Sequence, residues 1–208
     1  MDLWTVANGL RHHLSVVRGV TFVNSDNPLR AALVEGAKWG LKLAGISDPG
    51  FLNKIERTSV CIPLVVGNQS LVLLSSEDAR DPVTYAEAVA HQAHHDAQSD
   101  DAGHVRVAWE YVISDELRAK READAYAVGV WTRYLLTGLI LSDSDSLVEL
   151  ETGPHHLDVG NLSLCRGVLV SHLATIRSGS CPPISTAKVI LDYLKSNHPG
   201  SIKATSVL

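Results

Sequence analysis

The sequence predicts an α+β fold that is mainly helical, with a small β-sheet or hairpin ahead of two long helices. Three observations predict it. Two short aliphatic runs, "TSVCIPLVV" and "QSLVLLS", flank the turn-like "GNQ". An Ala-, Glu- and Gln-rich stretch then opens at Asp81–Pro82 and holds three histidines within five residues, His91, His94 and His95. A second long run of helix formers covers about 106–137.

In chain order, "LWTVANGLRHHLSVVRGV" spaces its apolar residues as a helix does, but Gly9 and Gly19 weaken that reading. Ser25, Asp26 and Asn27 offer N-caps to a helix begun by Pro28. Its apolar stripe runs through Leu29, Ala32, Leu33, Ala37, Leu41 and Ala44, and Gly45 can stop it. The two strands come next, and Pro63 puts the first at an edge or a bulge. The histidine helix follows, and "SDDAGH" breaks it. The 106–137 helix has an internal restart at Ser114–Asp115, with Trp109 and Trp131 expected in its core face. "LSDSDS" and "ETGPHHLDVG" read as loops, and two more helices fall near 159–177 and 184–196. No repeat or low-complexity tract divides the 208 residues, so a single domain is expected. Its core spans about 28–137, and a helical C-terminal extension covers 138–208.

Composition narrows the function classes. At 45% hydrophobic and 20% charged residues the chain can bury a sizeable core. A net charge of −5 argues against nucleic acid as the main partner, because binding phosphate needs a basic face. No apolar run is long enough to span a bilayer, and the N-terminus lacks a secretory signal, so no membrane partner and a cytoplasmic location are expected. Cys61, Cys165 and Cys181 are odd in number and far apart, which suits reduced, buried thiols. With no Cys-x-x-Cys pair, the common structural zinc sites are excluded.

The chemistry concentrates in "AEAVAHQAHHDAQ", residues 86–98. Residues i and i+4 share one helix face, so His91 and His95 can aim two imidazoles at one ion. A third ligand is often a carboxylate, and "READAYAVG" offers Glu122 downstream. Asp124 is an alternative ligand, or a partner that orients a ligating histidine. His94, one turn from His91, is either a substitute ligand or an ordinary histidine. Asp96 and Gln98 are expected to cap or solvate the helix end.

The pair "VAHQAHHDAQ" and "EADAYAVG" resembles the HExxH-plus-downstream-Glu pattern of gluzincin-type zinc metallopeptidases. It is similar in particular to small bacterial and phage-associated members whose second segment reads approximately E-x-x-A-Y/F. The resemblance covers residues 28–137. It implies a zincin-like active-site helix and partner helix, a Zn2+ ion held by His91, His95 and Glu122, and a peptide or protein substrate. It also makes position 92 the general base.

Gln92 departs from that pattern. A glutamate there would take a proton from the attacking water and hand it to the leaving amine, whereas an amide does not ionise. Loss of such a base typically costs on the order of 10²–10⁴ in rate. Three readings follow: a deliberate Glu-to-Gln exchange that leaves the site intact but inert, a native pseudo-peptidase that binds metal and peptide, or a different reaction at the metal. The first is favoured, because every other feature of the site is kept. Two histidines and a carboxylate also match a non-haem iron triad.

Tyr126 and Tyr134 are candidates to hold the oxyanion of a tetrahedral intermediate, or else packed core tyrosines. His155 and His156 could close over the site from their loop and stabilise the oxyanion, or else be solvated loop residues. Asp143 and Asp145 lack the glycine and final glutamate of a calcium loop. No G-x-S-x-G, P-loop or G-x-G-x-x-G occurs, and Cys61 has no neighbour in sequence that would activate it.

Overall fold

A computed structural model describes residues 2–43, 59–64, 69–140 and 159–204. Helix α1, Leu3–Arg18, is fully formed despite its glycines. Asp2 caps it by accepting from the Trp4 amide at 3.1 Å, and Val6, Ala7, Leu10 and Leu14 are buried along one face. The two glycines that weakened the sequence reading have separate physical roles. Gly19 adopts φ 72° and terminates the helix in the left-handed conformation, where a Cβ is unfavourable. Gly9 makes room for a neighbour: a Cβ there would lie 2.3 Å from the Tyr193 hydroxyl.

Strand β1, Thr21–Val23, has three residues and no sequence signal preceded it. Helix α2, Leu29–Leu43, follows the predicted start at Pro28. Strands β2, Val60–Leu64, and β3, Gln69–Leu73, pair antiparallel as predicted, with Ile62 opposite Leu71. The sheet order is β1-β3-β2, so β1 adds a parallel third strand and β2 stays at the edge, the place expected from Pro63.

Asp81 caps helix α3, Pro82–Ala102, by accepting from the Val83 and Thr84 amides at 3.0 Å. The helix runs past Asp96 and Gln98, so neither is at its end, and the chain turns only at Gly103 (φ 88°). Helix α4, His104–Ile113, stops at Ser114, whose hydroxyl accepts from the Leu117 amide at 3.3 Å and starts helix α5, Asp115–Thr137. The predicted internal restart is therefore a true helix boundary. It separates the two tryptophans. Trp131 on α5 is fully buried and donates to the Ala187 carbonyl at 3.2 Å, while Trp109 on α4 is 64% exposed, contrary to expectation. Helices α6, Val159–Arg177, and α7, Ser185–Asn197, complete the fold. One buried cluster joins Leu10 and Leu14 of α1, Val89 of α3, Trp131 of α5, Leu169 and Leu173 of α6, and Ile190 of α7. The C-terminal helices thus share the core with the histidine helix.

Gly9 yields a stability prediction. Tyr193 is stacked on His13, with ring centroids 4.5 Å apart, and its hydroxyl is 3.0 Å from His198 Nε2, so it has little room to give way. Gly9→Ala should lose about 1–3 kcal/mol to overpacking, even though alanine is the better helix former. Urea denaturation would measure it. Tyr193→Phe removes the clashing oxygen, so the double variant should recover most of the loss, and simple additivity would refute the steric account.

Candidate metal centre

Two antiparallel stripes build the site. On α3, Glu87, His91, His95 and Gln98 follow one another along the face that meets α5. On α5, Glu122, Tyr126, Gly129 and Arg133 do the same. The stripes are registered at one end by Arg133, which grips the Glu87 carboxylate with two hydrogen bonds, the one from Nε at 2.7 Å. Gly129 passes close to the Glu87 backbone: a Cβ there would lie 3.7 Å from the Glu87 carbonyl. At the other end the Gln98 amide donates to the Arg121 carbonyl at 3.1 Å. Glu122 is held between these two clasps.

The result brings three predicted ligands together. His91 Nε2 and His95 Nε2 lie 3.1 Å apart. Glu122 presents Oε2 to His91 at 3.6 Å and Oε1 to His95 at 3.5 Å. Tetrahedral bonds of about 2.0–2.1 Å place neighbouring donor atoms about 3.3–3.4 Å apart, so the observed spacing fits a zinc-sized ion. Glu122 is 0% exposed, and a carboxylate so buried needs a cationic partner. The His95 imidazole supplies one when no metal is bound. Burial pushes its pKa down, but the adjoining Glu122 carboxylate outweighs burial and holds it above the ordinary value.

The hydrogen bonds around His95 fix its tautomer. Gln98 Nε2 also reaches His94 Nε2 at 3.1 Å, so the amide nitrogen has the Arg121 carbonyl and His94 as acceptors. Gln98 Oε1 therefore faces His95 Nδ1, 3.1 Å away, and accepts its proton. That leaves the His95 Nε2 lone pair for a metal. His94 in turn stands 3.2 Å from the Thr186 hydroxyl through Nδ1. Burial, with the nearby His95 and His91 adding to it, pushes its pKa down to about 3, so it is neutral. It is a buried histidine that positions Gln98 and does not point at the triad.

Gln92 follows His91 on α3, about 100° around the helix, and is buried. Its Nε2 donates to the Ser59 carbonyl at 3.0 Å, at the entry to β2. Its Oε1 is buried and has no hydrogen-bond partner among the described residues. The Tyr126 ring packs edge-on against His91, with centroids 4.9 Å apart, which places it next to the triad. Tyr134 instead packs against Trp131 in the core, with centroids 5.8 Å apart. His155 and His156 lie outside the described residues.

Three expectations are corrected by tertiary contacts. Asp124 is no ligand and no partner of a ligating histidine: it pairs with His172 Nε2 on α6 at 2.8 Å. Asp96 neither caps nor solvates a helix end, since it is 1% exposed in the body of α3. Gln98 is the residue that orients His95. His172 and Thr186, on the C-terminal helices, had no signal in the sequence because their roles exist only through packing. Cys61 is no nucleophile, because burial above all pushes its thiol up to about 12. Cys61, Cys165 and Cys181 are all free. No helix among the described residues is long and apolar enough to cross a membrane.

Comparison with known protein families, with curated proteins and with solved structures gives no match to this chain. The likeness to gluzincins therefore rests on the residues themselves.

Proposed function

We propose that this chain is a zinc protein of the metallopeptidase type whose hydrolytic step is disabled at position 92. The observation that carries the reading is the convergence of His91, His95 and Glu122 donors at 3.1–3.6 Å, on two helices clasped at both ends. When bound, zinc supplies the Lewis acidity that polarises a peptide carbonyl and acidifies water. The chain's own residues do the rest. Gln98 keeps the proton of His95 on Nδ1. Glu122 balances charge in a buried site. Gln92 can offer its Oε1 as an acceptor but cannot carry a proton away. Tyr126, whose ring packs against His91, is the candidate donor to a developing oxyanion.

One observation favours a second reading, a peptide- or metal-binding module in which Gln92 is native. The Gln92 amide donates to a carbonyl, and a carboxylate at the same place would set oxygen against oxygen. The amide is thus integrated into the β2–α3 packing.

The metal is tested first. Protein purified without chelator should contain zinc, and His95→Ala should hold one equivalent less, read by elemental analysis after desalting. Equal zinc contents in the two proteins would remove the site. Glu122→Gln should weaken zinc binding by about 10–100-fold or more, because effects of that size already follow loss of a group that merely supports a ligand.

A further inference from the structure

A second cluster of potential ligands lies where α3 ends and α4 begins. Asp96, Asp100 and His104 follow at four-residue intervals, and their ligand atoms all fall within 4.8 Å of one another. His104 Nε2 is 3.9 Å from Asp100 Oδ1 and 3.4 Å from the Ser70 hydroxyl, which also reaches the Asp96 carboxyl. Three of these groups are enclosed: Asp96 is 1% exposed, His104 6% and Ser70 0%. Asp100 is the exposed member and gives the cluster a route to solvent.

Proximity of two acids and a histidine is not enough to make a site, but Asp96 adds an independent feature. Its Oδ2 is buried and has no hydrogen-bond partner among the described residues. An unmet buried acceptor is costly, more so when charged, and native proteins keep few of them without a reason. Here the orphan oxygen belongs to a residue grouped with an imidazole and a second carboxylate, a set of donors that suits a divalent transition ion.

We propose that Asp96, Asp100 and His104 form a second metal site for a divalent first-row transition ion such as Zn2+, with Ser70 as a supporting oxygen. Residues 95 and 96 point about 100° apart around the helix, so this site and the His91/His95/Glu122 site are separate mononuclear sites on one helix. Its role is structural. His104 is the first residue of α4, directly after the turn at Gly103, so an ion shared with Asp96 and Asp100 ties the end of α3 to the start of α4. Ser70 extends the tie to β3.

The test is zinc stoichiometry of the full chain, stripped with chelator, reloaded with ZnCl2 and desalted. Wild type should retain two equivalents. Asp96→Asn and Asp100→Asn should each retain one, and His95→Ala should retain one, at the second site. Asp100→Asn changes an exposed residue, so folding is not at stake in it. In the His95→Ala background, zinc at a hundredfold excess over Kd should raise Tm by about 5–10 °C, and adding Asp100→Asn should abolish that rise. Two equivalents in both Asp variants, or one in wild type that both Asp variants also retain, would overturn the proposal and leave Asp96 as a buried acid with no metal role; one in wild type that the Asp variants lose would instead remove the His91/His95/Glu122 site.

Discussion

Gln92→Glu should switch on peptide hydrolysis if the proposed metallopeptidase reading is right. The expected gain is on the order of 10²–10⁴ in rate, the usual worth of a positioned general base. The geometry gives two reasons to expect it. Position 92 follows His91 on α3 and is buried, and its side-chain oxygen has no hydrogen-bond partner among the described residues to compete with a water. The ligands and the clasps that align α3 with α5 do not involve position 92, so the exchange leaves them in place. It carries a cost. The bond from Gln92 Nε2 to the Ser59 carbonyl is lost, and a carboxylate facing that carbonyl should lower stability by about 1–3 kcal/mol unless it turns toward the metal. The measurement is cleavage of a mixed peptide library followed by mass spectrometry, with zinc content determined on the same sample. Cleavage with zinc retained means that one atom exchange separates this chain from a peptidase. Zinc retained, stability lowered and no cleavage of any peptide would sink the peptidase reading and favour the binding module.

The parts of the site that could be read in advance are those that depend on local periodicity. His91 and His95 share a helix face whatever the rest of the chain does, and Glu122 followed from the resemblance of "EADAYAVG" to a known second segment. What could not be read depends on tertiary contact. Gln98 looked like a residue solvating a helix end because "SDDAGH" looked like the break, yet α3 continues to Ala102 and carries Gln98 under α5. The same extension places Asp96 and Asp100 on ordered helix. Asp124 had the right spacing to serve near the metal, but it lies two residues from Glu122, about 200° around α5, and meets α6 instead. For the fold, the strand pair and the helix starts at Asp81 and Ser114 had sequence signals of their own. Strand β1 had none, since three residues are too few to show alternation. Trp109 was misplaced because the Ser114 cap resets the helix, so the buried face of α5 does not continue into α4.

His94 should make the protein acid-sensitive between its folded and unfolded pKa values. In the folded chain its pKa is pushed down to about 3, by burial first and by His95 and His91 next, whereas the unfolded residue titrates near 6.5. Between those values the unfolded state binds a proton that the folded state refuses, so stability is complete above pH 6.5 and falls as pH drops toward 3. The loss should reach about 2–3 kcal/mol by pH 4.5. Two other groups act in the same window: His13, whose pKa is pushed down by burial and by His12, also loses stability below pH 6.5, while Asp96, whose pKa is pushed up by burial, opposes that loss at the acid end. His95, whose pKa is raised in the metal-free protein, contributes stability that is complete below pH 6.5 and disappears as pH rises through its folded value, so it is silent in this window. The Asp81 carboxyl, brought below its ordinary range by hydrogen bonds from Thr84 and Val83 that outweigh partial burial, loses its contribution only near and below pH 3.8. Urea midpoints taken in chelator at several pH values between 7.5 and 4.5 would trace the curve. His94→Gln keeps an acceptor for Gln98 and a donor for Thr186 but cannot titrate, so its curve should be clearly shallower than that of wild type from pH 6.5 to 4.5. A variant curve as steep as that of wild type would show that His94 is not the sensing group, and would also remove the argument that a neutral His94 fixes Gln98 and, through it, the metal-facing nitrogen of His95.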